Sequence, residues 1–175
     1  HKHWQGIPAS ARGASVAMGN FDGVHLGHQS VIDLARGHAP LGIVTFEPHP
    51  REFFSPAAAP FRLMNTEARA NRLAKLGVEQ LFELPFDAEL AALTPEAFAR
   101  DILAAGLGIS HVVVGADFCF GKGRAGGIGD LKRLGTELGF NVTNADLVKV
   151  GDREISSNAN RQALTEGRPR DAAAM

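Results

Sequence analysis

The sequence predicts an α/β domain, a doubly wound parallel sheet with helices on both faces. Two observations carry that expectation. Five short apolar runs, β-branched in part and bounded by Gly, Pro or Asp, recur along the chain, and helical patterns separate them. Strands that are apolar throughout belong to sheets buried on both sides, and an intervening helix lets successive strands run parallel. A length of 175 residues is enough to bury the core of one domain, 1–175.

The strand candidates are 14–19 (ASVAMG), 41–46 (LGIVTF), 80–86 (QLFELPF), 111–115 (HVVVG) and 141–150 (NVTNADLVKV). After the first, His28–Gly37 puts Val31, Ile32, Leu34 and Ala35 on one helical face. Thr66–Leu76 begins at a capping Thr and stops before Gly77. Thr94–Ala105 has Thr94 as N-cap, Pro95 at the first helical position and Gly106 after the stop. Asp130–Leu138 and Ser157–Thr165 complete the helices. The segment Glu47–Arg62, with four prolines and two adjacent phenylalanines, reads as a long connection suited to covering a ligand.

Composition narrows the function. A net charge of -1 provides no basic surplus for nucleic-acid phosphates or an anionic membrane surface, so neither partner is expected. The single Cys119 cannot close an internal disulfide, which fits a reducing, cytoplasmic setting. No apolar run approaches the ~20 residues that cross a bilayer. The chain opens without Met and stops as "PRDAAAM" begins to read as a helix, the pattern expected of a piece of a longer protein.

In doubly wound sheets ligands sit beyond the carboxyl ends of the strands, where the winding reverses, so the loops after the first and fourth strands are the places to look. The first is "GNFDGVHLGH", 19–28. Gly19, Gly23 and Gly27 let the backbone turn and approach a ligand, and the following helix start offers N–H groups and a positive dipole end to an anion. The spacing is neither a dinucleotide fingerprint nor a P-loop. His25 and His28 instead aim imidazole N–H donors at one anion, an arrangement suited to phosphoryl or nucleotidyl transfer. Two plainer readings compete. The pair could ligate a metal, though no third ligand of fitting spacing lies nearby, or could be capping histidines of a tight turn.

Four segments together resemble the bacterial FAD synthetase family within the H-x-G-H nucleotidyltransferase superfamily. They are "GNFDGVHLGH" (19–28), "TFEPHPREFF" (45–54), "VVVGADFCFGKGRAG" (112–126) and "ISSNANRQAL" (155–164). The resemblance covers nearly the whole chain and implies a Rossmann-like nucleotidyltransferase fold. It also implies transfer of AMP from ATP to the phosphate of FMN, giving FAD and pyrophosphate, with Mg²⁺. A C-terminal riboflavin kinase domain follows in that family, and these 175 residues have no room for it.

Carried over residue by residue, the resemblance makes His25, His28 and Arg161 catalytic. The histidines would bind phosphates and stabilise charge at the α-phosphate, and Arg161 would clamp the β- and γ-phosphates. Gly19, Asn20, Phe21, Asp22, Gly23, Gly27, Gly115, Ser156 and Ser157 would form the ATP site. Pro48, His49, Pro50 and Phe118 would line the flavin side, and Asp117 would contact Mg²⁺ or a ribose. Read as residues alone, Asp117 serves equally as a turn residue and His49 as an exposed side chain of a rigid loop. Phe118 and Phe120 also fit a core, Lys122 and Arg124 a solvated loop, and Cys119 an inert thiol. The chain departs from the family in "SSNANR", with Asn158 where Thr is usual and Asn160 where an aliphatic residue is usual. A buried amide at 160 needs partners. Two rival functions stay open: a nucleotidyltransferase with another phosphate acceptor, and a nucleotide- or flavin-binding module with little catalysis.

Overall fold

The computed structural model describes residues 1–37, 39–57, 61–146, 149–150 and 153–175. Five strands form one sheet: β1 (Ser15–Met18), β2 (Leu41–Glu47), β3 (Gln80–Pro85), β4 (His111–Gly115) and β5 (Asn141–Ala145). All pairings are parallel, in the order β3-β2-β1-β4-β5. The winding therefore reverses between β1 and β4, at the predicted place.

Period-two alternation explains why both faces are apolar. Val16, Met18, Val44, Phe82, Val112 and Val114 point into one core, and Ala17, Ile43, Val113 and Ala145 into the other. The first face is covered by α4 (Ala88–Ala92), by α5 (Pro95–Ala97) with the π-helical turns Phe98–Leu107 that continue it, and by α6 (Ile128–Leu138). The second receives α1 (Leu26–Ala35) and α3 (Thr66–Lys75) through Ile32, Ala35 and Leu73.

Several boundaries differ from the sequence reading. The fifth strand ends at Ala145, and the tail of the expected run instead pairs as a hairpin, β6 (Lys149–Val150) with β7 (Arg153–Glu154). Residues 147–148 of that run, and 58–60 of the long connection, lie outside the described residues. Because β5 is the sheet edge, Asn141 and Asn144 are exposed, and a polar strand costs nothing there. The helix after β1 starts two residues earlier than expected, and Leu34 is exposed while Ile32 and Ala35 face the core. The connection after β2 contains a short helix, α2 (Pro50–Phe54), capped by the His49 ring. The helices α7 (Ser157–Thr165) and α8 (Pro169–Ala173) follow the hairpin.

Candidate active site

The carboxyl ends of β1, β2 and β4 open into a cleft of about 880 Å³. One side is polar, lined by His25, His28, Ser156, Ser157 and Arg161; the other carries Phe46, Phe54, Phe86, Phe98, Phe118 and Phe120. Of the sequence-predicted residues, Gly19, Asn20, Phe21, Gly27, His49, Pro50, Gly115 and Asp117 also line it. Asp22, Gly23 and Pro48 do not.

The loop after β1 is anchored from its neighbours. The Asn20 carbonyl accepts from Thr45 Oγ1 on β2 (3.2 Å) and from Arg69 Nη1 on α3 (3.4 Å). Arg69 is itself buried against Glu83 (2.7 Å) and Glu47 (3.1 Å). A buried guanidinium between two carboxylates is costly to break, so the loop rests on a rigid base. Among the three motif glycines only Gly23 has a positive φ (+89°), and a Cβ there would lie 2.8 Å from Leu63 Cδ1. Phe21 (φ 51°) and Val24 (φ 42°) are also left-handed, a conformation a β-branched residue seldom adopts. Buried packing holds both. Strain of this kind collects at functional loops.

The two histidines stack, with ring centroids 3.7 Å apart. His25 is the N-cap of α1, and its Nδ1 accepts from the His28 backbone N–H (3.3 Å). A neutral His25 that accepts at Nδ1 carries its proton on Nε2, where it can be donated. Burial pushes its pKa down to about 4; Asp22 pulls upward and Arg161 adds to the fall. His28 is held well below its ordinary value by burial and then by His25. Its Nδ1 is buried with no hydrogen-bond partner among the described residues. Both imidazoles are thus uncharged near neutral pH. The helix start is also less open than expected. The Leu26 N–H is taken by the Met175 carbonyl (2.6 Å) and the His28 N–H by His25.

Arg161 is not a free clamp either. Its Nη2 bonds Asp22 Oδ2 (2.6 Å), Nη1 bonds Asn158 Oδ1 (2.8 Å), and Nε bonds the Phe61 carbonyl (2.8 Å). Its guanidinium carbon lies 4.9 Å from the Phe61 ring centroid. Asp22, expected to shape the nucleotide pocket, works from behind the wall. Its Oδ1 accepts from Leu63 and Met64 N–H, and its carbonyl accepts from Ser157 Oγ. One aspartate therefore ties the first motif, the long connection and α7 together. Ser156 caps α7 through the Ala159 N–H.

His49 is half-buried, with its Nδ1 accepting from the Arg51 N–H (3.0 Å) and its ring edge-on to Phe61 at 4.9 Å. Burial is the main cause that lowers its pKa to about 4. Phe120 is buried and stacks on the partly buried Phe118, so one of that pair is core, as expected. Asp117 and Cys119 are exposed at the rim. No three His, Cys, Asp or Glu side chains gather into a metal-holding group among the described residues. No helix among them is long and apolar enough to cross a membrane.

Known proteins match this arrangement. A profile of the family described as FAD synthetase matches residues 7–159. The chain belongs to the FAD synthetase family. A bifunctional riboflavin kinase/FMN adenylyltransferase of Escherichia coli K12 is 37% identical over 163 residues, covering 90% of this chain and 52% of that protein. Its counterpart in Pseudomonas fluorescens is 40% identical over 87% of this chain and 50% of the relative. A FAD synthetase of Listeria monocytogenes is 32% identical over 93% of this chain and 68% of the relative. The chain thus spans about half the length of the bifunctional relatives. Among solved structures, one described as a macrolide-efflux protein from Streptococcus pneumoniae superposes with a TM-score of 0.83 at 27% identity, over 98% of this chain and 58% of that one. Pantothenate synthetase from Thermus thermophilus, at 20% identity and a TM-score of 0.57, covers 95% of this chain and 66% of its own and shares the fold.

In this member of the FAD synthetase family, sequence reasoning missed the aromatic wall beyond Phe118 and Phe120, together with Phe61, Arg51 and the contact made by Asn158. The two adjacent phenylalanines of "PREFF" were a usable signal, since Phe54 stays 67% exposed at the cleft mouth. Asn158 was visible only as a departure, and it proves to be a partner of Arg161. Asn160 is buried as anticipated, and nothing in the structure explains the choice of an amide there.

Proposed function

We propose that this chain transfers AMP from ATP to the phosphate of FMN, releasing pyrophosphate and forming FAD. One observation carries the reading: a single cleft joins two stacked, neutral imidazoles and a fixed arginine to an aromatic pocket wide enough for a flat ring system. The FMN phosphate is largely a dianion at neutral pH, because the second pKa of such esters is about 6. It needs no general base. The reaction demands instead that two anions be held in line and that the charge spreading over the transferred phosphorus be met by donors.

His25 and His28 supply those donors as neutral N–H groups. Because neither ring is charged near neutral pH, they stabilise charge without serving as acid or base. Gly27 brings the start of α1 close; a Cβ there would press on the His25 ring at 3.1 Å and near the Ile155 carbonyl at 3.4 Å. Arg161 keeps N–H donors beyond its three bonds, and these clamp the triphosphate tail. Ser156 and Ser157, at the start of α7, hold the nucleotide. Pro50, His49 and Phe118 face the flavin.

Asp117, an exposed carboxylate at the cleft rim, would be the residue to hold a Mg²⁺ ion brought in with the substrate phosphates, and the ion would neutralise phosphate charge there. Among the described residues no donor set would make an all-protein cage. The reaction, and the unpaired Cys119, are those of a cytoplasmic enzyme. The riboflavin kinase activity belongs to the names of the bifunctional relatives, about half of whose length this chain spans, and is not part of the activity proposed for it. The test is pyrophosphate release with ATP, FMN and Mg²⁺: FAD should form in equal amount, and riboflavin should not be phosphorylated. ATP binding with no pyrophosphate released would sink the reading.

A further inference from the structure

Phe61 carries two guanidinium groups. The guanidinium carbons of Arg51 and Arg161 lie 4.8 and 4.9 Å from its ring centroid. Arg161 is neutralised by Asp22. Arg51 is not: among the described residues no side-chain or backbone oxygen meets its guanidinium. The two acids nearest it in the chain are already engaged, since Arg62 bonds both Glu47 and Glu52.

Arg51 is nonetheless held in place. A surface arginine ordinarily samples many rotamers, and ordering it costs entropy. Here a cation–π contact with Phe61 orders the head group. The ring beneath it is fixed in turn. The Phe61 carbonyl is bonded to Arg161, and Leu63 and Met64, further along the connection, donate to Asp22. Arg51 lines the cleft beside His49 and Phe61, with its five N–H donors unspent.

We propose that Arg51 joins Arg161 as a second guanidinium ligand for a phosphate or diphosphate group in this cleft, a seat in which Phe61 positions both head groups. The proposal rests on the adenylyl-transfer reading for its choice of ligand. Two sources share that chemistry, the diphosphate end of ATP and the phosphate of FMN. Guanidinium forks suit either, because they bond phosphate oxygens in pairs.

The test measures binding of inorganic pyrophosphate and, separately, of FMN to the wild-type chain, to Arg51→Gln and to Arg51→Lys. Loss of one charge-assisted contact should weaken one ligand about tenfold in Arg51→Gln, with Lys recovering part of it. Weakened pyrophosphate with a raised KM for ATP places the diphosphate in the seat; weakened FMN with a raised KM for FMN places the acceptor there. The melting temperature should not move, because the Arg51 head group is exposed. Changes below twofold for both ligands overturn the seat. A wild-type chain that forms no FAD, while Arg51→Gln still binds pyrophosphate more weakly, would sink adenylyl transfer and leave the anion seat standing.

Discussion

Two histidine environments lie at opposite ends of the same sheet. At the amino end His111 is buried, with Nδ1 against Ser15 Oγ (2.8 Å) and Nε2 against Thr143 Oγ1 (2.9 Å). Both ring nitrogens are satisfied by side chains on neighbouring strands. At the carboxyl end His28 leaves a buried Nδ1 without a partner among the described residues, and His25 offers its Nε2–H to the cleft. The residue type and the sheet are the same; what differs is whether the protein itself completes the hydrogen bonds. Where it does, the imidazole joins strands. Where it does not, hydrogen-bonding capacity is left over beside the cleft.

The comparison breaks first on mutation. His28→Ala should lower FAD formation by about 10²–10³, the usual effect of removing one donor aimed at transition-state charge. Its circular dichroism and melting temperature should stay close to wild type. Near-normal turnover would place His28 with His111, as a structural group. His111→Ala should do the reverse. It strands two hydroxyls and opens a cavity, costing about 2–3 kcal/mol in urea unfolding while activity per folded molecule is kept. A loss of turnover in the folded His111→Ala protein would show that the two ends are coupled.

Titration sharpens the contrast. His25 and His49 have folded pKa values of about 4 against an ordinary 6.5, both chiefly through burial. Between those values the unfolded chain binds protons that the folded chain refuses, so stability falls as pH drops from 6.5 towards 4 and levels off below. The ceiling is about 1.4 kcal/mol per pH unit for each group. Both rings are partly open to water, which discounts this, and about 1 kcal/mol between pH 7 and 5 is expected from the two together. Urea midpoints at the two pH values should show it, and a His25→Asn/His49→Asn double variant should be flatter. An equally steep loss in that variant would assign the slope to other groups.

Much of this was legible in the residues, and the failures have physical causes. Alternating apolar strands and capped helices determine a parallel sheet, and the winding order brings the loops after β1 and β4 together. The partnership of the histidine motif with "SSNANR", more than a hundred residues away and not in either loop, came only from the resemblance to the family. What escaped were pairings that only tertiary contact creates. Nothing local says that Asp22 would turn towards Leu63, Met64 and Arg161. Nor does period or spacing reveal that Phe61 would carry two guanidiniums. Glycine counting misled as well, since the left-handed turns of the motif fall on Phe21 and Val24 as much as on Gly23.

Asn158 is the finest test, because it belongs to neither class outright. Its Oδ1 satisfies Arg161, as the hydroxyls satisfy His111, yet the guanidinium it holds faces the cleft. Truncation in Asn158→Ala removes one of three hydrogen bonds that orient Arg161, while Asp22 and the Phe61 carbonyl keep the other two. A hydrogen bond to a charged group at a half-open site contributes about 1 kcal/mol, so KM for ATP should rise about threefold to sixfold. Stability should hardly change, since Asn158 is exposed. The ratio of effects on kcat and KM is the informative reading. Loss of a pre-aligned clamp weakens ATP in the ground and transition states alike, raising KM with kcat nearly constant. Asn158→Thr, which restores a hydroxyl acceptor, should fall between Ala and wild type. If Ala and wild type share one KM, then Asp22 and the Phe61 carbonyl suffice to position Arg161 and the asparagine is only a surface residue of α7.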